Sequence, residues 1–328
     1  MLIKYLFIIS TSLLSGIIFI LLLTKLTRRY KVLMPKGVPL IGGIAMVLSF
    51  FIASFLGYFL YADLPSQAIG VMCASTIMLI FGVIDDWREL SIPAKFLVQI
   101  IATALLIFFG IKTQIIYFNN FINMLITFIW VLTITNAFNH LDIADGLAAG
   151  TAVIVGLAFF VISLLHGDIR VTVLSLALSG AIIGFLIYNL PPAKVYMGNS
   201  GSHFLGFILA AIALIISYAP LERKIALLSP ILILGLPIFD TLFLIFARIT
   251  KRRLPFKKSN DHIALRFLKL GYSKIKTLLI MLLLCLFFSF CGVLLSQVSN
   301  SLGIIIIAFV ILIGLIITYR AQKVSIDV

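Results

Sequence analysis

The chain has 328 residues, 62% of them apolar and only 11% charged, with a mean hydropathy of +1.24. Soluble globular domains carry about 25% charged residues, so a soluble fold is excluded and an integral membrane protein is expected. A net charge of +14 would suit a nucleic-acid binder, but the basic residues gather in one set of loops between apolar runs, so the lipid bilayer is the expected partner and nucleic acid is not.

Eleven apolar runs are each long enough to cross roughly 30 Å of hydrocarbon as a helix. They lie at about 5–23, 40–61, 67–84, 95–111, 119–136, 148–165, 171–189, 203–219, 227–247, 276–295 and 302–319. The first run ends in Lys25, Arg28 and Arg29 without a small-residue cleavage site, which reads as a spanning helix rather than a signal peptide. Lys25, Arg28, Arg29, Lys31 and Lys36 outweigh the lone Lys4, so the N-terminus is expected outside. Alternation then puts 20 of the 25 Lys and Arg residues in the inside segments, Arg320 and Lys323 of the tail among them. Cys73, Cys285 and Cys291 fall within apolar runs with no metal-binding spacing and read as packing residues. The expectation is an all-α integral membrane protein of about eleven transmembrane helices, a single polytopic membrane domain over 1–328. Its N-terminus is outside, its C-terminus is cytoplasmic, and it carries cytoplasmic catalytic loops.

The acids follow the same sidedness. Asp85 and Asp86 close the third run in FGVIDDWREL, with Lys95 following. Two adjacent carboxylates there suit a divalent cation and a phosphate, and equally a solvated span end with Trp87 as interfacial anchor. In NAFNHLDIADGL, Asp142 and Asp145 would share one face if the stretch is helical, and Asn136 and Asn139 have the same spacing, so four polar groups could converge. The segment YNLPPAKVYMGNSGSHFLGF offers Lys194 and a GNSGS core whose amides precede a helix, a candidate phosphate cradle. His203 reads as an interfacial or packing histidine rather than a ligand. Asp240 lies inside a span, where a charge is costly and functional by default. His262 follows Asp261 in a basic loop with Arg252, Arg253, Lys257 and Lys258, a set able to hold a diphosphate, although a single loop histidine is more often just solvated.

Five strings in this order resemble the polyprenyl-phosphate N-acetylhexosamine-1-phosphate transferases of glycosyltransferase family 4. They are PLIGGIAM (39–46), DDWRELSIPAK (85–95), NAFNHLDIADGL (136–147), PAKVYMGNSGSHFLGF (192–207) and PIFDT through PFKKSNDH (237–262). The nearest branch is that of the bacterial undecaprenyl-phosphate N-acetylglucosamine-1-phosphate transferases. The resemblance implies a multi-pass enzyme of the bacterial inner membrane that uses Mg²⁺ or Mn²⁺ to move a sugar-1-phosphate from a UDP-N-acetylhexosamine to undecaprenyl phosphate, releasing UMP. It implies Asp85, Asp86, Asp142 and Asp145 as catalytic acids and Asp85, Asp86, Asp142 and Asn199 around the metal. Lys95, Asn136, Asn139, Lys194, Asp240, Arg252, Arg253 and His262 are the implied substrate contacts. The family usually has Asp where this chain has Asn199, and a longer histidine motif where only His262 remains. An impaired homologue that binds lipid phosphate or partners an active copy is the alternative, and a homodimer is admitted.

Overall fold

The computed structural model describes residues 1–61, 64–219, 222–250 and 261–324. A helix stands at each of the eleven apolar runs, because a run in hydrocarbon must satisfy its backbone hydrogen bonds internally. Eight long helices make up the unit 1–216: α1 (Leu2–Tyr30), α2 (Gly42–Leu60), α3 (Ser66–Trp87), α4 (Ile92–Phe108), α5 (Asn120–Leu141), α6 (Leu147–His166), α7 (Ile169–Asn189) and α8 (Gly198–Ile215). Their starts are written in the sequence. Asn119 accepts from the Ile122 N–H and Asp168 from those of Arg170 and Val171, side-chain caps on otherwise orphaned amides.

The second unit, 217–328, holds α9 (Ser229–Ile233), α10 (Gly235–Thr250), α11 (Ile263–Lys269), α12 (Lys274–Leu295) and α13 (Asn300–Gln322). Among the described residues nine helices are long and apolar enough to span a membrane. The segment Lys224–Ile233 with Gly235–Thr250 makes a tenth if counted as one span, although it bends by 75°. The expected eleven is reached only by adding α4, an apolar helix of 17 residues. The ninth run is therefore broken rather than continuous, at a stretch carrying Pro230, Gly235 and Pro237, residues that remove or weaken ladder hydrogen bonds. The chain is a multi-pass integral membrane protein.

In the first unit α7 and α8 form the centre. Of their apolar windows 78% is buried, against 22% for α1, whose outer face of Leu14, Ile18 and Leu21 is exposed as a lipid-facing surface requires. Close helix crossing uses small residues: Gly180 and Gly184 of α7 lie against the α1 backbone at Ile9 and Leu13. Two helices overrun the expected spans toward the same end of this unit. α1 continues to Tyr30, carrying Lys25, Arg28 and Arg29, and α3 continues through Asp85 and Asp86 to Trp87. At that end the chain segments 31–41, 85–91, 142–146 and 190–199 meet.

Candidate active site

The meeting is arranged by backbone. Leu40 pairs with Tyr196 in a parallel bridge, Tyr196 N–H donates to Pro39 O at 2.9 Å, and Gly42 and Gly43 donate to Tyr196 O and Met197 O at 3.0 Å each. Any Cβ at Gly43 would collide with the Gly201 backbone, so the Gly-Gly pair of PLIGGI is what lets the start of α2 seat on the start of α8.

Asp86, on the last turn of α3, reaches the first turn of α8. It accepts from Asn199 N–H at 2.6 Å and Ser200 N–H at 3.0 Å, one bond to each oxygen. A carboxylate at a helix N-terminus satisfies two orphan amides and meets the positive end of the dipole. The GNSGS amides expected to cradle a phosphate are thus already taken by the protein's own anion. The phosphate-cradle reading is corrected on that ground. Gly198 has φ +73°, and a Cβ there would lie 2.5 Å from Asp86 Oδ2.

Asp85 is buried and spends its oxygens within its own neighbourhood. Oδ1 accepts from Leu90 N–H at 2.8 Å, and Oδ2 lies 2.6 Å from the Lys95 ammonium. The α3–α4 loop is folded around this carboxylate, which holds Lys95 beside the acids.

Asp142 and Asp145 sit in the break between α5 and α6, not on a helix. Asp142 is the C-cap of α5 and Gly146, at φ +76°, turns the chain into α6. The helical-face expectation for this pair is corrected accordingly. Asp145 accepts from Ala193 N–H at 3.2 Å, and the turn is tied to the 190–197 loop by Asn189, which accepts from Gly146 N–H at 3.0 Å and donates to Val195 O at 2.9 Å. Among the described residues none donates to the half-buried Asp142 carboxylate. Desolvation, with Asp86 and Asp145 adding repulsion, pushes its pKa up to about 7.

The four polar groups of NAFNHLDIADGL do not converge. Asn139 Nδ2 donates to Asn199 Oδ1 at 3.2 Å and Ser202 Oγ at 3.0 Å, beside buried His203, whose ring packs edge-on to Phe81. Asn136 turns toward α4 instead, exchanging bonds with buried Gln99 at 2.9 and 3.4 Å, since Leu132 O and that amide satisfy it inside the bundle. Lys194 is exposed on the 190–197 loop and does not line the site.

Asp85, Asp86, Asp142 and Asn199 form the polar side of a cavity of about 520 Å³; Leu33, Met34, Pro35, Leu40 and Trp87 form an apolar lip. Trp87, at the end of α3, is 85% exposed, as suits an aromatic that anchors a span end at the interface. No group of three or more Asp, Glu, His or Cys side chains is arranged as a preformed metal cluster among the described residues. The donor set fits a hard cation nonetheless. Asp142 accepts from no described donor and feels the charge of Asp86 and Asp145, and Mg²⁺ takes one or two carboxylates and completes its shell with water and phosphate oxygens. Asp86 borders the same cavity, whereas Asp85 is already paired with Lys95, and the Asn199 amide oxygen already accepts from Asn139.

In the second unit Asp240 and His262 form a buried pair, Nδ1 to Oδ2 at 2.7 Å, and Asp240 Oδ1 accepts from Ile263 N–H at 3.1 Å. Arg252 and Arg253 lie outside the described residues.

Residues 68–217 match the glycosyl transferase family 4 model, a stretch from α3 to just past α8 that contains both acid pairs and Asn199. The chain is 32% identical over 290 residues to a probable undecaprenyl-phosphate N-acetylglucosaminyl 1-phosphate transferase of Bacillus subtilis, covering 84% of this chain and 78% of that protein. It is 32% identical over 283 residues to the decaprenyl-phosphate N-acetylglucosaminephosphotransferase of Mycobacterium tuberculosis, covering 75% and 69%. An undecaprenyl-phosphate alpha-N-acetylglucosaminyl 1-phosphate transferase of Thermotoga maritima is 29% identical over 260 residues, covering 78% and 77%. The chain belongs to glycosyl transferase family 4. It is a phosphoglycosyl transferase, and the matched segment of this family 4 enzyme supplies the acidic side of the cavity. Asn189, which ties the Asp142–Asp145 turn to the 190–197 loop, and Gln99, which fixes Asn136 to α4, were not singled out from sequence. Their signal was an uncharged amide inside or at the end of an apolar run, where polar groups are retained for a partner.

Proposed function

We propose that this family 4 enzyme transfers N-acetylhexosamine-1-phosphate, with N-acetylglucosamine the first candidate sugar, from a UDP-sugar to undecaprenyl phosphate and releases UMP. The reaction is taken to run on the cytoplasmic face of the bacterial inner membrane, as the first membrane step of cell-surface polysaccharide synthesis. The observation that carries this reading is the cavity itself, acidic on one side and apolar at its lip, built from segments that the distribution of Lys and Arg assigns to the inside. A substrate pair with charged phosphates at one end and an isoprenoid at the other matches both surfaces.

In the reaction an oxygen of the acceptor phosphate forms a bond to the sugar-bearing phosphorus while the bond from that phosphorus to the UMP oxygen breaks. Mg²⁺ or Mn²⁺, when bound, would neutralise charge developing on the diphosphate. Asp142, with Asp86 beside it, would hold that cation. In the metal-free protein the Asp142 pKa is pushed up to about 7, so the cation would displace its proton and leave an ionised carboxylate that can orient an acceptor phosphate oxygen. Asp86 keeps α8 and Asn199 at the cavity wall, and Asp85 keeps Lys95 beside the acids as a source of positive charge. The family resemblance assigns His262 to the donor diphosphate in the same reaction. The carboxylates are intact, which favours an active enzyme over an impaired homologue.

The test is transfer of radiolabelled sugar phosphate from several UDP-N-acetylhexosamines to undecaprenyl phosphate by the purified full chain in detergent, with and without Mg²⁺ or Mn²⁺. Metal-dependent lipid product with UMP release is expected. No product beside an active family control would refute the reading.

A further inference from the structure

We propose that Asp240 is a positioning residue that makes His262 a charged hydrogen-bond donor to a diphosphate, an inference that rests on the assignment of His262 to the donor substrate. Asp240, on α10, and His262, at the start of α11, are 22 residues apart and both buried. Asp240 Oδ2 meets His262 Nδ1 at 2.7 Å while Oδ1 accepts from the Ile263 amide at 3.1 Å, so the carboxylate is fixed in two directions. An ionised carboxylate only accepts, which puts a hydrogen on Nδ1 and leaves Nε2 as the ring nitrogen without a partner among the described residues. A bare Nε2 presents a lone pair and would repel a phosphate oxygen. With a hydrogen on Nε2 as well, the ring is an imidazolium whose charge is shared between Asp240 and the phosphate, and both of its donors are satisfied.

The ring has little freedom to swing away. Arg266, one turn along α11, pairs with Asp261 at 3.1 Å and donates to Ala321 O at 2.9 Å and Val324 O at 2.6 Å, with its guanidinium 4.9 Å from the Phe243 ring centre. The residue preceding His262 is thereby anchored to the end of α13 while His262 itself is held by α10. Such an arrangement defines both the orientation and the hydrogen-bearing nitrogen of the ring, as second partners of functional histidines do elsewhere.

The test is Asp240→Asn in the full chain in detergent, with UDP as the probe. The amide keeps an oxygen for the Ile263 N–H, but its NH₂ donates to Nδ1, which forces the single hydrogen onto Nε2 and leaves the ring neutral. Nitrogen chemical shifts of ¹⁵N-histidine-labelled protein read this directly, with His262→Gln identifying the signal. With UDP bound the unaltered protein is expected to show both His262 nitrogens protonated and Asp240→Asn only Nε2. UDP affinity is expected to fall about tenfold, the scale that separates a charge-assisted bond from a neutral one. An unaltered protein showing a singly protonated His262 with UDP bound would overturn the proposal, even should Asp240→Asn fail to fold. If His262→Gln weakens UDP binding and Asp240→Asn does not, the positioning role alone is overturned. If His262→Gln binds UDP as tightly as the unaltered protein, the assignment of His262 to the donor fails and the proposal fails with it.

Discussion

Replacing Gly198 by Ala isolates the bond between Asp86 and α8. Gly198 has φ +73° and its added Cβ would stand 2.5 and 2.9 Å from the two Asp86 oxygens. Gly37 has nearly the same conformation, φ +79°, but nothing lies within 4 Å of its Cβ position. Both substitutions therefore incur the left-handed backbone cost of about 1–2 kcal/mol, and only Gly198→Ala also displaces the carboxylate. Losing one of the two bonds that Asp86 accepts from Asn199 and Ser200 costs a further ~2 kcal/mol, the range for bonds to a charged group. In a cooperative unit of some two hundred residues that difference corresponds to about 4–8 °C in Tm. The assay is thermal unfolding in detergent of Gly37→Ala, Gly198→Ala, Asp86→Ala and the Gly198→Ala/Asp86→Ala double variant. Gly198→Ala is expected to unfold well below Gly37→Ala, and its excess loss to shrink once Asp86 is removed. Equal losses in the two glycine variants, or additive losses in the double, would refute the claim that Asp86 anchors this helix.

Asp142 gives a pH dependence. Its pKa of about 7 lies above the ordinary carboxylate value, so its contribution to stability in the metal-free protein is fully present below about pH 4 and is lost as pH rises through about 7. Since a cation must displace the same proton, Mn²⁺ affinity measured by electron paramagnetic resonance should rise over that window; Asp142→Asn should flatten the rise, and an unchanged profile counts against Asp142 as a ligand. Lys95→Met leaves the buried Asp85 carboxylate without its cation and should lower stability by about 3 kcal/mol, with Asp85→Asn/Lys95→Met recovering part of it; no recovery would mean the pair is not coupled. Gln99→Leu leaves Asn136 with only the Leu132 carbonyl and should cost about 1 kcal/mol in detergent unfolding. Asn199→Asp adds a carboxylate to the cavity and should tighten Mn²⁺ binding; unchanged affinity would place Asn199 away from the cation.

What could be read from the chain alone was whatever is encoded locally. Each span carries its own signal, because a single apolar run decides whether a segment enters the bilayer, and the Lys and Arg flanking it are expected to set its direction. The helical, membrane-spanning character of the apolar runs, the acids at helix ends and the five family strings were legible for that reason, whereas the break in the ninth run was not. The tertiary structure alone decided the partners, since these join residues far apart in sequence. Asp86 lies 113 residues from Asn199, Gln99 37 from Asn136, and Gly146 43 from Asn189. Spacing of three placed Asn136 and Asn139 on one helix face, yet one is satisfied by α4 and the other by α8. The GNSGS amides read as an anion site from sequence and are one, but the anion is Asp86, because a buried helix N-terminus takes the nearest carboxylate the fold supplies.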